Sequence, residues 1–320
     1  MRLAVRITTA ALGTALAVGL ASCSVQQAPA PVDGRDYVDA AKRKVAIPKH
    51  PTRVVTLAEG ALDSALALGV VPIGSTAGRG QMGIPGYLVA AEGQNRIPVV
   101  ASTRAPNLGQ ILKLKPDLII VDDTTGARHS LDDLGKIAPT IVVAKYTGGW
   151  EQYFAAMADV LARPDQARTV RDQVDRQIVD TKALVAQSSS DASPTASVIR
   201  WSTEGPTIVG GNSLSSWVLD RVGMKRPAAQ EKINSANRAG QKISMENLDM
   251  IDADYIFFGV LGGTDQARQD LQVAQTKPGF AALRASREGH VYPVDGTPWT
   301  SGTGPLGVQA VLDDITAAFK

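Results

Sequence analysis

Between Asp165 and Gln187 the chain contains neither glycine nor proline, and Val170, Val174 and Ile178 recur every four residues with Val185 further along. Arg171, Asp172, Asp175, Arg176 and Asp180 occupy the other faces. This is the period of one long amphipathic helix, with an apolar stripe for a core and charge for water. The polar run from Ser188 to Pro194 ends it. A helix of that length in the middle of a 320-residue chain splits the sequence into two parts and predicts a bridge between them.

On both sides of the bridge, short apolar runs alternate with helical patterns. In the first half, Val54–Leu57, Leu118–Val121 and Ile141–Val143 read as strands. Ala61–Leu68, Ile111–Leu114 and Leu131–Ile137 read as helices, the first closed by Gly69. Val70–Ile73 is a further apolar run, followed by a turn-rich Gly74–Gly78. The second half repeats the plan, with strands at Ser197–Trp201, Tyr255–Phe258 and His290–Val294 and helices at Ser213–Val222 and Leu306–Phe319. Strands separated by helices imply parallel sheets covered on both faces. The expected fold is α/β: two lobes with mostly parallel sheets, residues 45–163 and 191–320, joined by one long backbone helix over 164–190.

The first residues carry a different signal. Arg2 and Arg6 precede an apolar run from Ile7 to Leu20, too short for the ~20 residues of a membrane span but suited to a secretory signal peptide. Leu20-Ala21-Ser22-Cys23 resembles a bacterial lipobox, and Cys23 is the only cysteine in the chain. Cleavage after residue 22 and lipidation of Cys23 would tether the protein to the outer face of the cytoplasmic membrane, in the cell envelope. Residues 23–44, rich in proline, alanine and glutamine, read as a flexible tether. No cysteine remains for a disulfide. A formal net charge of +2 without a basic block argues against nucleic acid as a partner.

Enzymatic signatures are missing. His50, His129 and His290 are far apart and form no metal-binding pair, so no metal site is expected. Gly302-Thr303-Gly304-Pro305-Leu306-Gly307 satisfies G-x-G-x-x-G, yet lies too near the end of the chain to open a dinucleotide-binding βαβ unit. It reads as a turn that opens the last helix. No catalytic residue and no resident cofactor are expected.

Several runs carry a family resemblance. They are Ile47-Pro48-Lys49-His50-Pro51-Thr52-Arg53-Val54-Val55, Leu68-Gly69-Val70-Val71-Pro72-Ile73-Gly74, and Pro106-Asn107-Leu108 followed by Ile111 to Ile120 through Lys115-Pro116-Asp117. In the second half they are Gly211-Asn212-Ser213-Leu214 and Ile243 to Leu248 ahead of Ala253-Asp254. Together they resemble the cluster-A, helical-backbone substrate-binding proteins of ABC importers (the class III periplasmic-binding-protein fold), and within these the ferric hydroxamate-binding proteins. The resemblance implies a monomeric lipoprotein that binds a ferric siderophore in the cleft between its lobes, with little hinge motion, and delivers it to an ABC permease dimer. Haem or cobalamin carriage on the same fold is the alternative. The family docks on its permease through one acidic residue per lobe. Glu246 matches the second position; at the first stands Gly109, with Gln110 next to it as the substitute. The missing acid also motivates a non-transport envelope interaction module as an alternative.

Ligands of α/β proteins meet the loops beyond the carboxyl ends of strands. Arg79, Tyr87, Arg104, Arg128, Arg200 and Arg238 fall in such loops, as do Trp150, Trp201 and Trp299, three of the four tryptophans. Indole walls and planar guanidinium donors suit an oxygen-rich iron chelate whose metal stays with its chelator.

Overall fold

The structure is a computed structural model that describes residues 33–102, 105–123, 126–145, 149–189, 193–231, 233 and 240–320. It opens with a hairpin, β1 (Gly34–Val38) and β2 (Lys44–Pro48), paired antiparallel from Gly34↔Pro48 to Val38↔Lys44. The expected tether therefore stops short of residue 34. Its basic end is tied down by buried Asp39, whose carboxylate accepts the backbone N–H of Arg43 (2.8 Å), the Arg43 guanidinium (2.6 and 2.9 Å) and the N–H of Val142 (3.2 Å). Proline and alanine composition did not reveal a hairpin held by one aspartate.

The first lobe contains β3 (Val54–Thr56), α1 (Glu59–Ala67), β4 (Gly74–Thr76), α2 (Val89–Glu92), β5 (Val99–Ala101), α3 (Leu108–Leu114), β6 (Leu118–Val121), α4 (Leu131–Ile137), β7 (Thr140–Val142) and α5 (Trp150–Val160). Its five strands are all parallel, in the order β5-β4-β3-β6-β7. One strand lies where a turn was expected. Gly69 ends α1 at φ +71°, and the apolar run after it serves to reach the sheet, with Ile73 N–H bonded to Val54 O at 2.9 Å. The strand itself is Gly74-Ser75-Thr76. Ser75 is accommodated because its hydroxyl meets that of Thr56 at 2.9 Å, and a Cβ on Gly74 would stand 2.6 Å from Leu114 of α3.

Helix α6 (Pro164–Ser188) is the predicted bridge, 25 residues or roughly 38 Å long. Pro164 starts it, a position at which the missing N–H costs nothing. The stripe Val170, Val174, Ile178 and Val185 is buried as the spacing requires.

The second lobe holds β8 (Ala196–Arg200), β9 (Thr207–Ile208), α7 (Leu214–Arg221), α8 (Ala228–Glu231), β10 (Gln241–Lys242), β11 (Tyr255–Val260), α9 (Thr264–Gln275), α10 (Pro278–Ala281), α11 (Arg284–Glu288), β12 (Val291–Asp295), α12 (Gly296–Ser301) and α13 (Pro305–Ala318). The sheet order is β10-β9-β8-β11-β12, with β8, β11 and β12 parallel and β9 and β10 antiparallel at one edge.

The two lobes share a core. One apolar cluster runs from Ile47, Leu118 and Phe154 through Val174 of α6 to Val198, Phe257 and Ile315. Helix α13 lies along α6, joined by Gln177 Nε2 to Asp313 (2.6 Å) and by the hydroxyls of Thr181 and Thr316 (3.1 Å). Trp150 of α5 meets Trp217 of α7 edge to face at 5.5 Å. Burial of this kind resists bending far more than a pair of exposed linkers would.

Candidate ligand-binding cleft

In each sheet the first strand sits centrally and later strands extend to both sides, which creates a crevice at the carboxyl ends. The carboxyl ends of the two sheets face one another. Residues after β3 and β4 touch residues after β11 and β12: a Cβ on Gly60 would lie 2.1 Å from Thr303 Oγ1, and the Gln81 side chain bonds to Leu261 and Thr297.

The floor on the first-lobe side is acidic. Glu59 follows β3, part-buried, Asp122 follows β6, buried, and Asp295 ends β12 in the second lobe, also buried. Burial raises the Glu59 carboxyl above its ordinary range. Arg79 opposes the rise through its guanidinium (3.2 Å) and its backbone N–H (2.8 Å), while Asp122 and Asp295 add to it. Burial likewise raises Asp295, which accepts the N–H of Thr297 at 2.8 Å as the N-cap of α12. Tyr153 donates its hydroxyl to Asp122 at 3.5 Å, and burial beside that carboxylate pushes the phenol well up.

Deeper lies Asp63, fully buried. It accepts the Tyr87 hydroxyl (2.9 Å) and the N–H groups of Leu306 (3.0 Å) and Gly307 (2.8 Å) at the start of α13. Burial lifts its pKa to about 6 despite these three donors. A carboxylate at a helix N-terminus satisfies orphan amides and the helix dipole together. The G-x-G-x-x-G segment is thus a turn opening the last helix. Its central glycine is required by close approach, since a Cβ on Gly304 would sit 2.1 Å from Asp63 Oδ1.

The expected ligand contacts divide into groups. Arg79 and Tyr87 lie together on the loop after β4, each engaged by a carboxylate of α1. Arg200 ends β8, partly exposed at the carboxyl edge. Trp201 packs on Phe258 (5.0 Å) and Phe280 (5.6 Å) and lines a separate pocket of about 370 Å³ with Thr203, Met245 and Val273. Two expectations are corrected. Trp299 is 0 % exposed, stacked on Phe257 at 4.2 Å, with Nε1 donating to Asp314 at 2.7 Å. Trp150 begins α5 inside the shared core, and its indole N–H has no hydrogen-bond partner among the described residues. Trp299 follows β12 directly on α12, which carries its indole inward, and Trp150 opens α5 with its ring against Phe154 and Trp217. Arg128 is exposed. Arg104, Arg238 and Cys23 lie outside the described residues.

Glu246 and Gln110 are both exposed, in the second and first lobes respectively. Gln110 N–H is held by the N-cap Asn107 at 3.0 Å, and a Cβ on Gly109 would meet only Asn107 Oδ1, at 3.7 Å. Nothing steric requires glycine there.

The buried carboxylates were not anticipated, although a signal existed. Glu59 and Asp63 are one helical turn apart in a segment whose other residues are Gly60, Ser64 and the apolar Leu57, Ala58, Ala61, Leu62, Ala65 and Leu66. Acids on a helix that is apolar all round must be buried with partners.

Known proteins resemble the chain over nearly its full length. The probable siderophore-binding lipoprotein YfiY of Bacillus subtilis is 27% identical over 279 residues, 85% of this chain and 84% of the relative. The iron(3+)-hydroxamate-binding protein FhuD of the same organism is 27% identical over 282 residues, 86% of this chain and 83% of the relative. Staphylococcus aureus SirA, solved in complex with staphyloferrin B, superposes with a TM-score of 0.73 at 25% identity, covering 89% of this chain and 98% of SirA. Residues 54–297, from the first strand of one lobe to the last strand of the other, match the family described as periplasmic binding protein, and the chain belongs to that family.

Proposed function

We propose that the chain is an extracytoplasmic solute-binding lipoprotein that holds a ferric siderophore between its lobes and hands it to an ABC-type permease. The observation that carries this reading is the extent of the likeness. The likeness runs over both lobes and the bridge, to proteins named for siderophore and iron(3+)-hydroxamate binding and to one solved with staphyloferrin B. The family is one of substrate-binding proteins rather than enzymes. Iron arrives as cargo with its oxygen ligands supplied by the chelator, so the protein requires no cofactor of its own.

Arg79 and Arg200 at the strand ends offer planar donors to chelator oxygens, with Arg104 and Arg238 as further candidates. Tyr87 contributes ring surface, since its hydroxyl is committed to Asp63. Trp201 belongs to the second-lobe flank beside Met245, next to the exposed Glu246 that we assign to permease docking. Among the described residues no helix is long and apolar enough to cross a membrane. We assign attachment to a lipid on Cys23.

The test is a titration of intrinsic tryptophan fluorescence with ferric hydroxamate, catecholate and citrate-type siderophores, haem and cobalamin, with inner-filter controls. Saturable quenching by a ferric siderophore, weakened by Arg79→Ala or Arg200→Ala, is the expected result. Saturation by haem or cobalamin alone, or by none of the panel, overturns the assignment.

A further inference from the structure

Residues 77–88, after β4, leave the first lobe and cross to the second. Gln81 makes the crossing. Its Nε2 donates to the carbonyl oxygen of Leu261 (3.2 Å) and to Thr297 Oγ1 (3.1 Å), both in the second lobe. Its Oε1 accepts the N–H of Gly86 (2.9 Å) in its own loop. A primary amide supplies donor and acceptor from one planar group. A carboxylate would lose the donor, and an aliphatic side chain would lose both.

The backbone is fitted to the same contact. Gly80 has φ +71°, and a Cβ there would stand 3.2 Å from the Cβ of Leu261. A Cβ on Gly86 would stand 3.3 Å from Asp295 Oδ2. The loop is anchored at both ends in the first lobe, through Arg79 to Glu59 and through the Tyr87 hydroxyl to Asp63. Between those anchors every contact named here reaches the second lobe or supports the one that does.

The two kinds of inter-lobe link differ in strength. Helix α6 and the shared core hold the lobes by buried apolar surface, and parting them means exposing it. Gln81 holds by hydrogen bonds at a partly exposed rim, where Met82 beside it is 95 % exposed. Such bonds open locally long before a core does. The groups beneath are Glu59, Arg79 and Asp295, at the carboxyl ends of strands from both lobes.

We infer that residues 78–88 form a clasp across the cleft, that Gln81 closes it, and that its opening gates ligand entry and exit while the lobes stay fixed. The gating half of this inference rests on the cleft being the ligand site, as proposed above. The clasp itself does not.

Two measurements test it on the full chain and on Gln81→Leu and Gln81→Glu variants. The first is hydrogen exchange followed by mass spectrometry without ligand. Peptides covering 78–88 and 261–263 should exchange about threefold faster or more in both variants, with α6, β8 and β11 unchanged. Gln81→Glu should show the larger effect, because it puts a carboxylate against the Leu261 carbonyl near Asp295. Unchanged exchange at both crossing segments overturns the clasp. The second is stopped-flow binding of ferrichrome. A gate predicts that association and dissociation both accelerate about threefold while Kd stays within about twofold. Faster dissociation alone would make Gln81 a ligand contact and overturn the gate. If the parent chain binds no ferric siderophore, the transport reading fails, and the exchange experiment still decides the clasp.

Discussion

The carboxylate of Asp63 and the amide of Gly307 meet at 2.8 Å, though 244 residues separate them in the chain. Asp63 belongs to the first helix of the first lobe and Gly307 to the first turn of the last helix. Asp63→Ala leaves two amides and the Tyr87 hydroxyl buried without their acceptor. The expected cost is about 3 kcal/mol, read from urea denaturation. Gly304→Ala should cost about 2 kcal/mol or more, because its new methyl group would collide with the Asp63 carboxylate. If both variants unfold at the parent midpoint, the contact contributes nothing.

Asp314 gives the stability a pH dependence of known sign. Burial lifts its pKa to about 6; the Trp299 indole opposes the rise, while Asp313 and Asp295 reinforce it. A folded-state value above the unfolded one means that the folded chain holds the proton more tightly. The contribution is therefore complete below about pH 4 and lost as pH rises through about 6. Asp314→Asn keeps an acceptor for the indole and removes the titration. Relative to the parent, it should gain about 1 kcal/mol between pH 4 and pH 7, a figure reduced for the partial exposure of the side chain. Denaturation midpoints of both chains across that range check the sign, and a constant difference would refute it.

Trp299 and Trp150, both buried, should respond unequally to the same change. Trp299→Phe removes the donor that meets Asp314 and leaves a part-buried carboxylate oxygen without it, for about 1–2 kcal/mol. Trp150→Phe removes an N–H that has no partner among the described residues, so about 1 kcal/mol of packing is all that should be lost. Neither change should shift siderophore affinity by more than about twofold, because neither ring reaches the cleft. Thermal melts with parallel titrations separate the two effects.

Gly109→Glu should be tolerated and should strengthen docking. Its Cβ has room, and a carboxylate in the first turn of α3 is favoured by about 0.3–1 kcal/mol. The expected outcome is unchanged folding and a lower half-saturating concentration for stimulation of the permease ATPase in proteoliposomes. No change in that concentration would mean that the first lobe docks without an acid at this position.

The long helix was legible from the sequence because its stripe repeats with no breaker, and α4 was legible to the residue. Strand β4 was not, since glycine, serine and threonine are turn formers until a neighbouring Thr56 and a facing Leu114 give them a place in a sheet. The hairpin at 34–48 escaped notice for a similar reason: its anchor, Asp39, finds Val142 more than a hundred positions away. Strand ends led to the loop after β4, which carries Arg79 and Tyr87 beside the carboxylates of α1. Direction within a loop is tertiary information, and so Trp150 and Trp299 were expected to face the ligand although their helices bury them.

Helix α13 also bears on the order in which the molecule can be completed. The amides that satisfy Asp63 lie 243 and 244 residues after it, on the helix that also covers α6 from the second lobe. Until they arrive, the first lobe carries a buried acid without its donors and an open apolar flank, so it cannot reach its finished state ahead of the rest. Such a chain stays unfinished until both lobes have been made.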